Sequence, residues 1–279
     1  MTQPSGAGHS LTDAEARLAA LHRQETGPTP EPEERYLLKY DLLALQPGEH
    51  VLDLRCGIGR DLVRMAPLVG PSGSVTGLET YDAVVEAARQ RVAQEGLTNV
   101  RVLRADAGPL PFPDDAFDVV HTERVLGVDG DPEALVAEIV RVTRPGGRIV
   151  CCEIDSGDRF IDFDEMDLVE KVYVRGGGFS RHPYMGRQLF RRFRRAGLTD
   201  VEVRGYLWTQ PNQARGAVIE ADLRKAVSEG SVSPAEAERF DAQYRAHLEA
   251  GNLFGANATF LARGTKPRAA VRSRNTATD

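Results

Sequence analysis

Cysteine is scarce in this chain: three residues in 279, two of them adjacent (Cys56, Cys151, Cys152). So sparse a set builds no disulfide framework and matches no zinc-ligand spacing. The thiols read as small buried residues of a reducing compartment, and no metal is expected. Long apolar runs are missing too. None approaches the roughly 18 residues that read as a membrane span, and residues 1–13 lack the apolar stretch of a secretory leader. A cytoplasmic protein with no membrane partner is the expectation. Basic excess is absent: the net charge of −6 argues against a general affinity for nucleic-acid phosphates. There is no Gly-x-x-x-x-Gly-Lys-Ser/Thr phosphate loop and no internal repeat. The hydrophobic content of 41% supports a sizeable core, and the length suits one domain with an added segment.

What is present begins at Val51-Leu52-Asp53-Leu54-Arg55-Cys56-Gly57-Ile58-Gly59-Arg60, an apolar run that ends in an acid and turns on two glycines. It reads as a buried strand, a tight loop and the start of a helix. Residues without Cβ let the backbone bend sharply and a ligand approach closely. Glu79 follows Gly59 by twenty residues, at the end of a second apolar run. A carboxylate at that distance can accept hydrogen bonds from both ribose hydroxyls of a nucleoside. A dinucleotide fingerprint needs a third glycine three residues after the second, and that position is Leu62. Asp53 and Asp61 would repel a pyrophosphate. A nicotinamide oxidoreductase is therefore disfavoured, and a cationic sulfonium cofactor, S-adenosylmethionine, fits better.

Three further stretches follow in order. Val102-Leu103-Arg104-Ala105-Asp106-Ala107 is a third strand ending in an acid. Leu110-Pro111-Phe112-Pro113 leads through a polar turn to a fourth strand at Phe117-Asp118-Val119-Val120. Arg144-Pro145-Gly146-Gly147 closes a helix and opens a fifth strand. Together these motifs resemble the class I S-adenosylmethionine-dependent methyltransferases of the small-molecule type, strongly over residues 34–153 and weakly to about 264. The resemblance implies a doubly wound α/β fold with a mostly parallel, seven-stranded Rossmann-like sheet. Its last strand would be antiparallel, and a helical lid would be inserted at about 155–197. It implies S-adenosyl-L-methionine as cofactor. Asp53 through Gly59, with Arg55 and Gly57, would hold the methionyl end. Glu79 would bind the ribose and Thr80 would sit beside the adenine. Asp106 would accept from the adenine amino group and Ala107 would donate a backbone N–H. Thr122 and Glu123 would pass beside the methionine and the acceptor. One departure stands out: the family usually has glycine where this chain has Arg55. If that position needs φ > 0, arginine costs on the order of 1 kcal/mol or more.

Along the chain, residues 1–32 read as an N-terminal helix and a Pro-rich linker, 33–265 as the methyltransferase domain, and 266–279 as a disordered basic tail. A helix is expected from Glu33 to Leu45. Tyr36 and Tyr40 fall on one of its faces and either pack on the sheet or line the acceptor pocket. A helix at Tyr184–Ala196 carries five arginines opposite Leu189 and Phe193, which reads as a solvated amphipathic face. Ser233-Pro234-Ala235-Glu236 reads as a capping box. For chemistry, His182 is the preferred general base, with Tyr184 and Glu123 as companions and His121 as a further candidate. Glu123 has a second reading, orienting the methionine amino group or pairing with Arg124. The expected partner is a small-molecule acceptor, with an oxygen, nitrogen or carbon nucleophile. A protein or RNA methyltransferase and a degenerate, non-catalytic fold are the competing readings. The N-terminal helix packs on its own subunit or crosses to a neighbour, which leaves a homodimer open.

Overall fold

A computed structural model describes residues 33–105, 109–128, 130–175, 181–209, 211 and 216–268. The expectations for 1–32, Asp106, Ala107, the Gly176–Gly178 run and most of the tail lie outside the described residues.

The strand-helix alternation up to residue 153 folds as its periodicity predicts. Helix α1 (Glu33–Leu43) leads into β1 (His50–Leu54), α2 (Arg60–Val69), β2 (Ser74–Glu79), α3 (Asp82–Gln94), β3 (Val100–Arg104), β4 (Phe117–Glu123), α4 (Pro132–Val142) and β5 (Thr143–Ile161). Strands β6 (Thr199–Thr209) and β7 (Gly255–Thr265) complete one seven-stranded sheet in the order β3-β2-β1-β4-β5-β7-β6. The first five strands run parallel, and β7 lies antiparallel to both β5 and β6. The order reverses between β1 and β4. Their carboxyl ends part there and leave the crevice in which open α/β sheets bind ligands.

Two hydrophobic layers follow from the period of two along each strand. On one face Val51, Val75, Val119, Val150 and Cys152 pack with Leu62 and Met65 of α2 and Val85 and Ala88 of α3. On the other, Leu52, Leu78, Val120, Ile149 and Cys151 pack with Val136 and Ile139 of α4 and Leu189 and Phe193 of α6 (Met185–Arg195). Adjacent Cys151 and Cys152 therefore point to opposite faces, and all three cysteines are free and buried. Asp131 caps α4 by accepting from the backbone N–H groups of Glu133 and Ala134 (2.9 and 3.3 Å), with Pro132 at the first helical position. In α4 Val136, Ile139 and Val142 are buried, and Leu135 packs against them only partly buried.

The lid expected at about 155–197 is redistributed. Strand β5 does not stop at Ile154; it pairs with β7 as far as Ile161, with one register shift after Asp155. The arginine-rich α6 packs on β5 and β7 as a crossover helix of the main body. The sequence hid this because residues 155–159 are polar and span the register shift, and pairing with β7 resumes only at Phe160 and Ile161. A separate apolar cluster forms the cap instead. It joins α5 (Met166–Glu170), a π-helical turn (Lys171–Arg175), α7 (Gly216–Ser228) and α8 (Pro234–Glu249). Phe163 stacks on Phe240 with centroids 4.6 Å apart, and Tyr173 meets Phe240 edge-on. The predicted capping box is present: Glu236 N–H donates to Ser233 Oγ (3.2 Å) and Ser233 N–H to Glu236 Oε2 (2.8 Å).

Phe240 is fully buried at the centre of this cap. Phe240→Ala is expected to cost about 3–5 kcal/mol of cap stability. Urea unfolding followed by Trp208 fluorescence and by far-UV dichroism would show the loss as a lowered midpoint.

Candidate active site

The glycine bend sits at the tips of β1 and β2. After Leu54 the chain turns through three left-handed residues, Arg55 (φ 62°), Gly57 (φ 56°) and Gly59 (φ 82°), and enters α2. A Cβ at Gly59 would press on Ala88 of α3 at 3.4 Å, so the bend is held close to its neighbour. Cys56 N–H donates to Leu78 O (3.1 Å), which ties the loop to β2. Arginine in the left-handed region costs about 1–2 kcal/mol relative to glycine, the strain anticipated for this position.

Glu79, at the end of β2, is fully buried. Its Oε2 accepts from Gly57 N–H (3.2 Å) and its Oε1 from Thr80 N–H (3.1 Å). The carboxylate is thus oriented by the bend and retains lone pairs for a further donor. Thr80 is buried beside it and its hydroxyl accepts from Arg55 Nη1 (2.9 Å). Thr122, at the end of β4, has a buried hydroxyl with no hydrogen-bond partner among the described residues. Glu79, Thr80, Thr122 and the bend are therefore brought to neighbouring strand tips, as the motif order predicts.

Asp53 is engaged differently from the expectation. It lies directly opposite His121 across β1 and β4, and the His121 Nδ1–Asp53 Oδ1 distance is 2.7 Å. Burial alone would lower the imidazole's pKa; the Asp53 carboxylate overcomes this and pushes His121 up to about 10. The pair is an imidazolium-carboxylate bridge between strands, and His121 is unsuited to act as a free base near neutrality.

Glu123 is likewise committed. Arg35 Nη2 donates to its Oε1 (2.7 Å) and Lys39 Nζ to its Oε2 (3.0 Å). Lys39, fully buried, also reaches both oxygens of Asp61 at 2.7 Å, and Tyr40 donates its hydroxyl to the same Asp61 (2.8 Å). Burial would raise the Glu123 carboxyl, but Arg35 and Lys39 hold it well below the usual carboxylate range. Such a carboxylate is a poor proton acceptor; its contacts join α1 to the tip of β4, and Arg124 Nη2 lies 3.6 Å from Oε1, the pairing named as its second reading. Tyr36 and Tyr40 also serve this joint. Tyr36 is buried with the guanidinium carbons of Arg60 and Arg64 each 4.3 Å from its ring centroid.

Glu153, at the inner part of β5, is a residue that sequence reading missed. It accepts from the backbone N–H groups of Val125, Leu126 and Gly127 (2.9, 2.8 and 3.3 Å) and so shapes the loop after β4. Burial pushes its carboxyl up to about 7 against those three donors. The same loop receives His182: its backbone N–H donates to Gly127 O (3.0 Å), and its Nε2 lies 3.3 Å from Gly130 O. Tyr184 goes elsewhere. Its ring covers Gly157, where no side chain fits, and stacks on Arg187, lining an open groove of about 500 Å³ with Arg187, Gln188 and Arg191. Among the described residues no hydrogen bond joins His182 or Tyr184 to Glu123.

The His121–Asp53 bridge carries a pH signature. A histidine whose folded pKa is raised contributes stability that is present below about 6.5, its unfolded value, and is lost as pH rises towards about 10. The melting temperature should therefore fall across that window, and His121→Gln should flatten the fall. Differential scanning fluorimetry from pH 6 to 10 on both proteins checks this.

Comparison with known proteins matches this geometry. The methyltransferase domain family covers residues 45–177. An uncharacterised 37.1 kDa protein of transposon Tn4556 from Streptomyces fradiae is 35% identical over 77% of this chain, a stretch that spans 62% of that protein's length. A demethylmenaquinone methyltransferase of Geobacillus is 32% identical over 58% of this chain and 76% of the relative. Among solved structures, the YcgJ protein of Bacillus subtilis superposes with a TM-score of 0.62 at 16% identity, over 85% of this chain and 100% of that one, a likeness of fold. The chain belongs to the class I S-adenosylmethionine-dependent methyltransferases.

Proposed function

We propose that this methyltransferase acts on a small organic acceptor and uses His182 as its proton acceptor. The observation that carries the cofactor half of this reading is Glu79, a fully buried carboxylate at the tip of β2, aimed by Gly57 N–H and left with spare acceptor capacity. When bound, S-adenosylmethionine supplies an electrophilic methyl carbon on a sulfonium. Glu79 would accept the ribose hydroxyls. Thr122, with its orphaned buried hydroxyl, would hold the methionyl end together with the bend at Gly57–Gly59. The α1 joint keeps water from the carboxyl ends of β1 and β4 by filling that space with Tyr36, Arg35 and Lys39, all buried.

The acceptor half rests on the loop after β4. Glu153 fixes its backbone, and His182 is attached to it twice. With Nε2 donating to Gly130 O, Nδ1 is the basic nitrogen of His182 and can take the proton of a hydroxyl, phenol or activated carbon as the methyl group arrives. The match to demethylmenaquinone methyltransferases supports a small-molecule acceptor. The acidic net charge supports the same choice over a nucleic acid.

Glu79→Ala should weaken binding of S-adenosylhomocysteine by about 1–3 kcal/mol through loss of charge-assisted hydrogen bonds. Isothermal titration calorimetry measures this, and unaltered affinity would remove the ribose role. His182→Ala should lower turnover at least tenfold while leaving that affinity intact. Single-turnover kinetics with an acceptor that carries a free nucleophile would test it, and unchanged rates would rule out the base assignment.

A further inference from the structure

Arg55 occupies the loop position at which the family places glycine, and its side chain does not turn out to solvent. Only 13% of it is exposed. The guanidinium bridges the tips of β1 and β2. Nη1 donates to Thr80 Oγ1 (2.9 Å), Nε lies 3.5 Å from Glu79 Oε1, and the guanidinium carbon sits 5.8 Å from the centroid of the Tyr81 ring. A cation thus covers the carboxylate that the ribose needs. Asp53, Asp61 and Glu123 each have one buried cation at 2.7 Å: His121, Lys39 and Arg35 in turn. The Arg55–Glu79 contact is longer, and it is made by a side chain on a backbone already in the strained left-handed region. It is built to be exchanged rather than kept.

We propose that Arg55 is a latch on the ribose carboxylate, competing with the adenosyl ribose for Glu79 and thereby weakening the hold on both the cofactor and its demethylated product. The proposal rests on Glu79 being the ribose ligand. Each binding event must move the guanidinium off Glu79, while its existing contacts to Thr80 Oγ1 and the face of Tyr81 can retain it at the strand tips. Each release is assisted by its return. A ligand that has already given up its methyl group makes the same ribose contacts as the cofactor, so the latch acts on product departure as well as on entry. Binding strength that is equal in ground state and transition state does not speed turnover, and lowering it relieves inhibition by product.

The test uses the full chain and S-adenosylhomocysteine as the probe, titrated by calorimetry. Arg55→Gly should bind at least fivefold more tightly than the wild type, and product inhibition of turnover should deepen by a similar factor. Arg55→Ala keeps the backbone strain and removes the cation, so it separates the two effects: it should also bind more tightly. In a Glu79→Gln background the gain from Arg55→Gly should shrink, a coupling that a merely structural role would not produce. Binding by Arg55→Gly with none by the wild type is the extreme form of the supporting result. Unchanged or weaker binding by both glycine and alanine variants, with the Glu79→Ala loss intact, overturns the latch and leaves the ribose reading standing. Absence of binding by every variant overturns both.

Discussion

The ammonium of Lys39 is the point on which the site's architecture turns. It is fully buried, yet it touches both oxygens of Asp61 and one oxygen of Glu123. A charge placed there without partners would cost several kcal/mol, and three carboxylate contacts offset that cost. The geometry therefore constrains three elements at once: α1 supplies the lysine, the first turn of α2 supplies Asp61, and the tip of β4 supplies Glu123. Arg35 repeats the arrangement one turn earlier on α1, and Arg148 closes it at the helix C-terminus by donating to Leu43 O, Ala44 O and Glu49. Glu123 is held by both cations and Asp61 by Lys39 and Tyr40, so loss of Lys39 strips a partner from two carboxylates at once and the joint acts as a unit.

How much of this is legible from sequence depends on what kind of interaction is involved. The strand tips are legible because they are local: an acid after an apolar run, then glycines, fixes a bend that the backbone angles at Gly57 and Gly59 bear out. The capping box at Ser233 is local as well. The charged joint is not. Arg35, Tyr36, Lys39 and Tyr40 read as alternating polar and aromatic residues on a surface helix, and nothing within α1 says that Asp61 and Glu123 will meet them. Ion pairs at sequence separations of 22, 84 and 88 exist only once the sheet has formed. Glu153 is hidden for the same reason, since its partners are backbone amides 26 to 28 residues earlier.

The cap shows a different limit. Its two halves, at 162–175 and 216–253, are far apart in the chain and bury their apolar residues in one shared cluster. Reading one segment as a lid assigns the whole function to whichever stretch breaks the strand-helix rhythm first. In the structure that first stretch is partly strand, because β7 offers β5 a ladder beyond Ile154. The apolar residues that build the cap, Phe163, Tyr173 and Phe240 among them, find each other across α6 and β6 in sequence.

Carboxylates gather at the carboxyl ends of β1, β2, β4 and β5, and each comes with its own compensation: an imidazolium for Asp53, cations from α1 for Asp61 and Glu123, backbone amides for Glu153, and a guanidinium with backbone amides for Glu79. Compensation by amides, His121, Lys39 and Arg35 comes from groups that are themselves buried. Compensation by Arg55 differs in kind: its side chain reaches partial exposure, its contact to Glu79 is long, and it has a second acceptor in Thr80. A site whose acids are all locked could not greet a ligand's hydroxyls, and one whose acids were all bare would carry an unpaired buried charge whenever the ligand is away. Glu79 under an exchangeable cation satisfies both demands, which sets the variable part of the site at the tip of β2 and its rigid part at the tips of β1 and β4.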